Sequence, residues 1–255
     1  MIRVLNITVL LCFGIIAFAQ DNYPKISFEL GYNNQFVEMN KFNQFFIDSN
    51  FTKYSDIDSP FKNIHNFNFA IKVRPKSIID LGLSLGFQEG FKVGKPMLKT
   101  LDENLDLVFT EGYRKLSIKS YNFGIATTLY ISRFFEFQNE THILNRFDFG
   151  IDLLIGYSLS IVSNEVHNTT VDPIYISEAE WFANDFYSKI GINVEYLLFS
   201  KIIFCSIGLR SGYQFLRTNT MVDRLDDYYV KMPYSEPINL DLSGIYYGIY
   251  LKFGK

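Results

Sequence analysis

Apolar residues recur at every second position in eight separate stretches of this chain, and the positions between them are small or polar. The last stretch, residues 243–253, sets Ile245, Tyr247, Ile249, Leu251 and Phe253 on one face. Gly244, Tyr246, Gly248, Tyr250 and Lys252 lie on the other. A period of two is the period of a β-strand, whose side chains point alternately to opposite faces. The same pattern predicts strands over residues 25–37, 66–73, 79–87, 115–131, 145–161, 181–198 and 203–215. The stretch 145–161 is the cleanest: Phe147, Phe149, Ile151, Leu153, Ile155, Tyr157, Leu159 and Ile161 alternate with residues that are mostly Gly, Ser or charged. In each stretch the second face carries Gly, Ser, Asn and scattered charges, whereas a soluble sandwich would show a Lys- and Glu-rich solvent face with few glycines.

The connections alternate in length. Residues 38–65, 88–112, 162–180 and 217–239 are long, and a short helix is expected within residues 39–51 of the first. Between them lie a tight link at residues 74–77, where Pro75 should stop the ladder, a medium one at 133–144 and a very short one at 199–201. Outer-membrane barrels have short periplasmic turns and long outside loops, with an even strand count. A strand needs about 9–11 residues to span a bilayer, and most of these stretches reach that length.

Composition changes the picture in three ways. The 255 residues carry a net charge of −3 and a pI near 5.7, so there is no basic footprint for nucleic acid. The chain is 17% aromatic, dominated by 26 Phe and 17 Tyr, which favours strands. The first residues read as an export signal, with Arg3 before an apolar core at residues 9–19 and Ala17-Phe18-Ala19 as the cleavage site. The expected division is therefore residues 1–19 as signal peptide and 20–255 as one barrel domain. With Cys12 inside the removed segment, Cys205 stands alone, which excludes an intramolecular disulfide.

These features together resemble the small outer-membrane β-barrel proteins of Gram-negative bacteria, the porin-like β-barrel group. The resemblance covers residues 25–253 and rests on the signal, the alternating strands and the aromatic final strand ending near Phe253. It departs from the group's pattern in that Gly254 and Lys255 follow the terminal aromatic. It implies an all-β chain forming a single closed antiparallel transmembrane barrel of about eight up-and-down strands with four long outside loops. It also implies residence in the bacterial outer membrane, with membrane lipid and the barrel assembly machinery as partners.

Candidate chemistry is sparse. A barrel of eight strands is just wide enough to be filled by its own side chains. The strand parity points Glu29, Lys72, Asp152, Lys189, Glu195 and Arg210 into the lumen, either as a pore lining or as a network of paired charges that plugs it. Buried charges are tolerated when paired, so the plug is the favoured reading. His167 with Glu165 and Asp172 is a conceivable catalytic group, but no nucleophile, zinc or phosphate motif accompanies it. Asp223, Asp226 and Asp227 match no calcium-loop spacing. Phe36, Tyr113, Tyr130, Phe134, Trp181, Phe182, Phe215 and Tyr228 lie near segment ends and are candidates for interfacial girdles. The expectation is a non-enzymatic barrel without cofactor or metal, acting in structure, adhesion or assembly through a loop ligand or protein partner. A porin, a narrow channel and a secretion-machinery component are the alternatives.

Overall fold

The computed structural model describes residues 25–47, 57, 59–101, 107–134, 146–168, 176–199, 203–223 and 238–255. The expected signal at residues 1–19 lies outside the described residues, as do His142, Asp172, Asp226, Asp227 and Tyr228.

Eight antiparallel strands pair around a ring. They are β1 (Ile26–Phe36), β2 (Asn63–Lys76), β3 (Ile79–Gly94), β5 (Leu107–Tyr130), β6 (Phe147–Asn168), β7 (Ile176–Phe199), β8 (Phe204–Phe215) and β12 (Gly244–Gly254). Each pairs with its neighbours in that order, and β12 pairs with β1 over the register Ser27–Gly254 to Gln35–Tyr246. Closing the ring leaves no unpaired edge in the spanning region, the condition for backbone polar groups in lipid. The first and last described residues meet at one end, where the Lys25 amide donates to the Lys255 carbonyl at 3.1 Å.

Outward-facing positions are apolar and exposed. Leu83, Ile155, Phe186, Ile192, Leu209 and Ile249 are among them. On four neighbouring strands, β1, β2, β3 and β5, the apolar outward positions end at a sharp boundary. That boundary is a polar row formed by Lys119, Glu89, His65 and Asn34, which are neighbours on four consecutive strands. Directly beneath it lies an aromatic row of Tyr121, Phe87, Phe67 and Tyr32. Their rings touch in pairs, Phe87–Tyr121 at 5.4 Å and Tyr32–Phe67 at 5.2 Å between centroids. A polar row above an aromatic row above an apolar belt is the profile of a bilayer interface. Tyr32 donates its hydroxyl across the boundary to His65 Nδ1, or accepts from it, at 2.6 Å.

Three expectations need correction. The stretches 88–112 and 162–180 are not simple loops, because β3, β5, β6 and β7 run on through much of them. β5 has 24 residues, about 80 Å at about 3.3 Å per residue, against an apolar belt of about 25 Å. Beyond the polar row the four strands continue as a standing sheet, and β4 (Met97–Leu101) extends it by pairing with β5. Pro75 does not stop the ladder: β2 reaches Lys76 by shifting register between Val73 and Lys76, and the turn falls at Ser77 and Ile78. The bulge lets the proline, which has no N–H to give, sit where pairing is already broken. The girdle also uses different residues. Tyr130 is buried inside the barrel, Trp181 packs on an internal apolar cluster, and Tyr113 and Phe182 lie on the standing sheet.

The expected short helix is α1 (Asn40–Phe46), in the first long connection. The fourth long connection contributes β9 (Arg217–Thr220) and β10 (Val222–Asp223), with β11 (Asn239–Asp241) returning to pair with β9.

Candidate functional site

The inner face of the ring changes character with height, and each zone follows from the residues that the period-two pattern turns inward.

At the end where the termini meet, the lumen is crossed by a charged cluster. Lys252 Nζ lies 2.5 Å from Asp80 Oδ2 and 3.5 Å from Glu195 Oε2. Arg74 reaches the same Asp80 with two donors, Nε at 2.5 Å and Nη2 at 3.0 Å. The Tyr130 hydroxyl donates toward Asp80 at 2.9 Å and receives the Lys252 ammonium. Glu195 accepts from Ser206 at 2.7 Å and Tyr250 at 3.2 Å. Arg74 and Arg133 both lie over the Tyr130 ring, at 4.7 and 4.4 Å from its centroid, and Arg133 pairs with Asp148. Lys252 and Asp80 are about as buried as any residue in the chain. In such surroundings a charge is stable only with its counter-charge and hydrogen bonds in place.

One layer higher, Lys72 Nζ binds Glu29 Oε2 at 2.7 Å and Thr128 Oγ1 at 3.0 Å, and Thr128 donates to Asp152 Oδ1 at 2.6 Å. Arg210 pairs with the other oxygen of Glu29 and lies over the Tyr250 ring at 4.1 Å. Lys189 sits in the same layer beside the Tyr246 and Tyr187 rings.

The six charges expected in the lumen are therefore all inside it, but in two groups. Glu29, Lys72, Asp152 and Arg210 are brought together, Glu195 belongs to the cluster below, and Lys189 joins neither by an ion pair. Parity turns Lys252 and Asp80 toward the lumen, but the set of lumen charges read from the sequence does not include them, nor Arg74 and Tyr130. Asp80 and Lys252 were available from parity alone, since they alternate with the apolar positions of β3 and β12. Arg74 was hidden by reading it as part of a turn, and Tyr130 by reading aromatics near strand ends as girdle.

Above the charges comes a neutral layer. Gln88 Nε2 donates to Gln214 Oε1 at 2.7 Å and Gln35 Oε1 at 3.1 Å, while Gln35 and Gln214 both donate to the Leu242 carbonyl. These glutamines bridge three separate strands across the lumen.

The outer zone is apolar. Phe42 and Phe46 of α1 stack at 4.6 Å, Phe42 meets Phe61 edge-on at 5.8 Å, and Phe46 meets Trp181 at 5.1 Å. Leu116, Ile118 and Val162 supply the strand side of this core, and Leu216, Met221, Ile238, Leu240 and Leu242 supply it from the fourth connection. Asn43 ties the helix to Phe61 by two reciprocal hydrogen bonds of 2.8 and 3.1 Å. Arg114 donates to the Phe46 carbonyl at 2.9 Å, closing the helix end. The described residues of the first and fourth connections thus fold inward and stopper the outer mouth with hydrophobic packing.

The other candidate groups stay apart from this arrangement. His167 Nε2 is 3.9 Å from Glu165 Oε2 on the outer face of the standing sheet, beside Tyr113. His65 belongs to the interfacial row.

No protein-family model and no curated protein matches this sequence. Among solved structures, Neisserial surface protein A (NspA) aligns with a TM-score of 0.40 at 7% identity, covering 91% of this chain and 97% of its own. Ail, the attachment invasion locus protein of Yersinia pestis, aligns at 0.36 and 10%, covering 90% and 97%. The outer membrane protease OmpT of Escherichia coli aligns at 0.30 and 10%, covering 89% and 94%. The closed ring, the apolar belt with its aromatic and polar rows, and the polar, charge-paired interior give this chain the fold of a small antiparallel β-barrel of the outer-membrane kind.

Proposed function

We propose that this protein is a non-conducting, non-enzymatic barrel that presents a rigid β-sheet to the cell's exterior for contact with an outside ligand or protein. The observation that carries this reading is the doubly closed lumen combined with strands far longer than a bilayer requires. Stoppering both ends removes the reason to extend the strands for transport. The standing sheet instead offers Phe91, Val93, Met97, Leu107 and Phe109 on its outward face, all well exposed and all beyond the polar row that marks the membrane boundary. Apolar groups clustered on a surface in water are the usual mark of an interaction site. Assembly into the membrane would pass through the barrel assembly machinery, as for any such fold.

Planar-bilayer recording tests the first half of the reading: purified protein should give no single-channel steps, and steps would instead make it a pore. The second half is tested by replacing residues 97–109 with a short turn. The shortened protein should keep its heat-modifiable gel mobility, and cells displaying it should attach less well to protein-coated surfaces. Equal attachment would overturn the display role.

A further inference from the structure

The middle of the barrel holds a small cavity of about 30 Å³, between the ion-pair cluster and the apolar stopper. That is room for one or two water-sized particles. Its lining includes three cations, Lys72, Lys189 and Arg210, but only two carboxylates, Glu29 and Asp152. Lys72 and Arg210 share Glu29, and Asp152 takes its hydrogen bond from Thr128. Lys189 is left with no carboxylate within ion-pair distance among the described residues, though it is only 8% exposed. It has two aromatic faces for company, Tyr246 at 5.6 Å and Tyr187 at 5.9 Å. The charged group that bears on it is Arg210, a second cation.

The hydrogen-bond inventory points the same way. Arg210 Nε and Asn68 Nδ2 are buried donors without an acceptor, against one buried acceptor without a donor, Asn33 Oδ1, and all three residues line this cavity. Orphaned buried donors are costly, and so is a buried charge without a counter-charge. A neutral amine on Lys189 would remove the excess charge and leave the donors unmet. A water would serve the donors and leave the charge unmet. A single monovalent anion satisfies both, and the volume limits it to the size of a halide.

We propose that the lumen binds one chloride-sized anion, held by Lys189 and Arg210 with the Asn68 amide, as an integral counter-ion of the closed barrel. The site is internal and separate from the outer sheet assigned to surface contact, so either assignment can fail without the other.

The test uses the full mature chain folded in lipid or detergent. Unfolding is followed by gel mobility while chloride replaces gluconate at constant ionic strength. Because the anion binds the folded state, the folded-to-unfolded ratio should rise about tenfold for each tenfold increase in chloride above its dissociation constant. Lys189→Met, which fills similar space without charge, should fold and lose this response. A wild type indifferent to the anion, or a Lys189→Met variant that keeps the response, overturns the proposal. Should that variant fail to fold, bromide-grown crystals of the wild type decide the matter: an anomalous peak within hydrogen-bonding reach of Lys189 Nζ supports the site, and its absence removes it.

Discussion

Lys252 concentrates the physical logic of the barrel. It is two residues from the strand end and fully enclosed, and it answers two carboxylates on different strands. Replacing it with Met leaves Asp80 with Arg74 as its one remaining cation beside the Tyr130 hydroxyl, among the described residues, and Glu195 with hydroxyl partners. Breaking a buried pair on one side costs about 3–5 kcal/mol. Urea unfolding in lipid vesicles should show a loss of that order for Lys252→Met, with part of it recovered when Glu195→Gln is added. A loss below about 1 kcal/mol would be the behaviour of a surface pair and would contradict the enclosed network. Glycines carry a second lesson at this scale. Parity alone makes Gly248 an inward position where a polar group looks tolerable. A Cβ there would lie 2.1 Å from the Tyr32 carbonyl oxygen, so the glycine is required by close strand approach. At Gly208 the obstruction is the Tyr250 ring, 2.1 Å from the same virtual atom, which lies flat against the backbone and sends its hydroxyl to Glu195.

Among the elements, the seven-residue helix α1 depends wholly on its surroundings. It has no side-chain cap at its start, and a helix so short is not stable alone. Phe42 and Phe46 hold it by burial against strand residues and the fourth connection. Phe42→Ser removes the centre of that packing, and deleting a buried Phe costs about 3–5 kcal/mol. The loss should be local. Amide exchange should accelerate at Met221 and Leu242, whose N–H groups bond Ile238 and Leu216 across the β9–β11 ribbon, while amides of the spanning strands keep their protection. Uniform acceleration throughout the barrel would mean that the stopper and ring unfold as one unit.

For the whole molecule, two closures of different chemistry stand in series. The outer one is apolar and the inner one is ionic, with the cavity between them. Opening either alone leaves the other shut, so the Phe42→Ser and Lys252→Met variants should each be silent in planar bilayers. Steps from Phe42→Ser alone would show that the ionic cluster does not seal.

Much of this was legible in the sequence because a spanning strand obeys a strict local rule. Each residue faces either lipid or lumen, and the side-chain period of two reports which. Strand number, the inward direction of Glu29, Lys72, Asp152, Lys189, Glu195 and Arg210, and a helix near residue 40 all follow from that rule and from turn chemistry. What the tertiary structure alone decided concerns partners far apart in the chain. Parity says that Asp80 and Lys252 face inward, but the ring closure of β12 on β1 and the strand stagger decide that they meet. The apolar inward residues Leu116, Ile118 and Val162 interrupt the polar face and mark where it ends, yet only the folding-in of Phe42, Phe46 and Leu240 reveals that they line a stopper. Local periodicity encodes direction, and the identity of a contact between residues far apart in the chain, such as Gln35 with Leu242 at a separation of 207 positions, belongs to the closed ring.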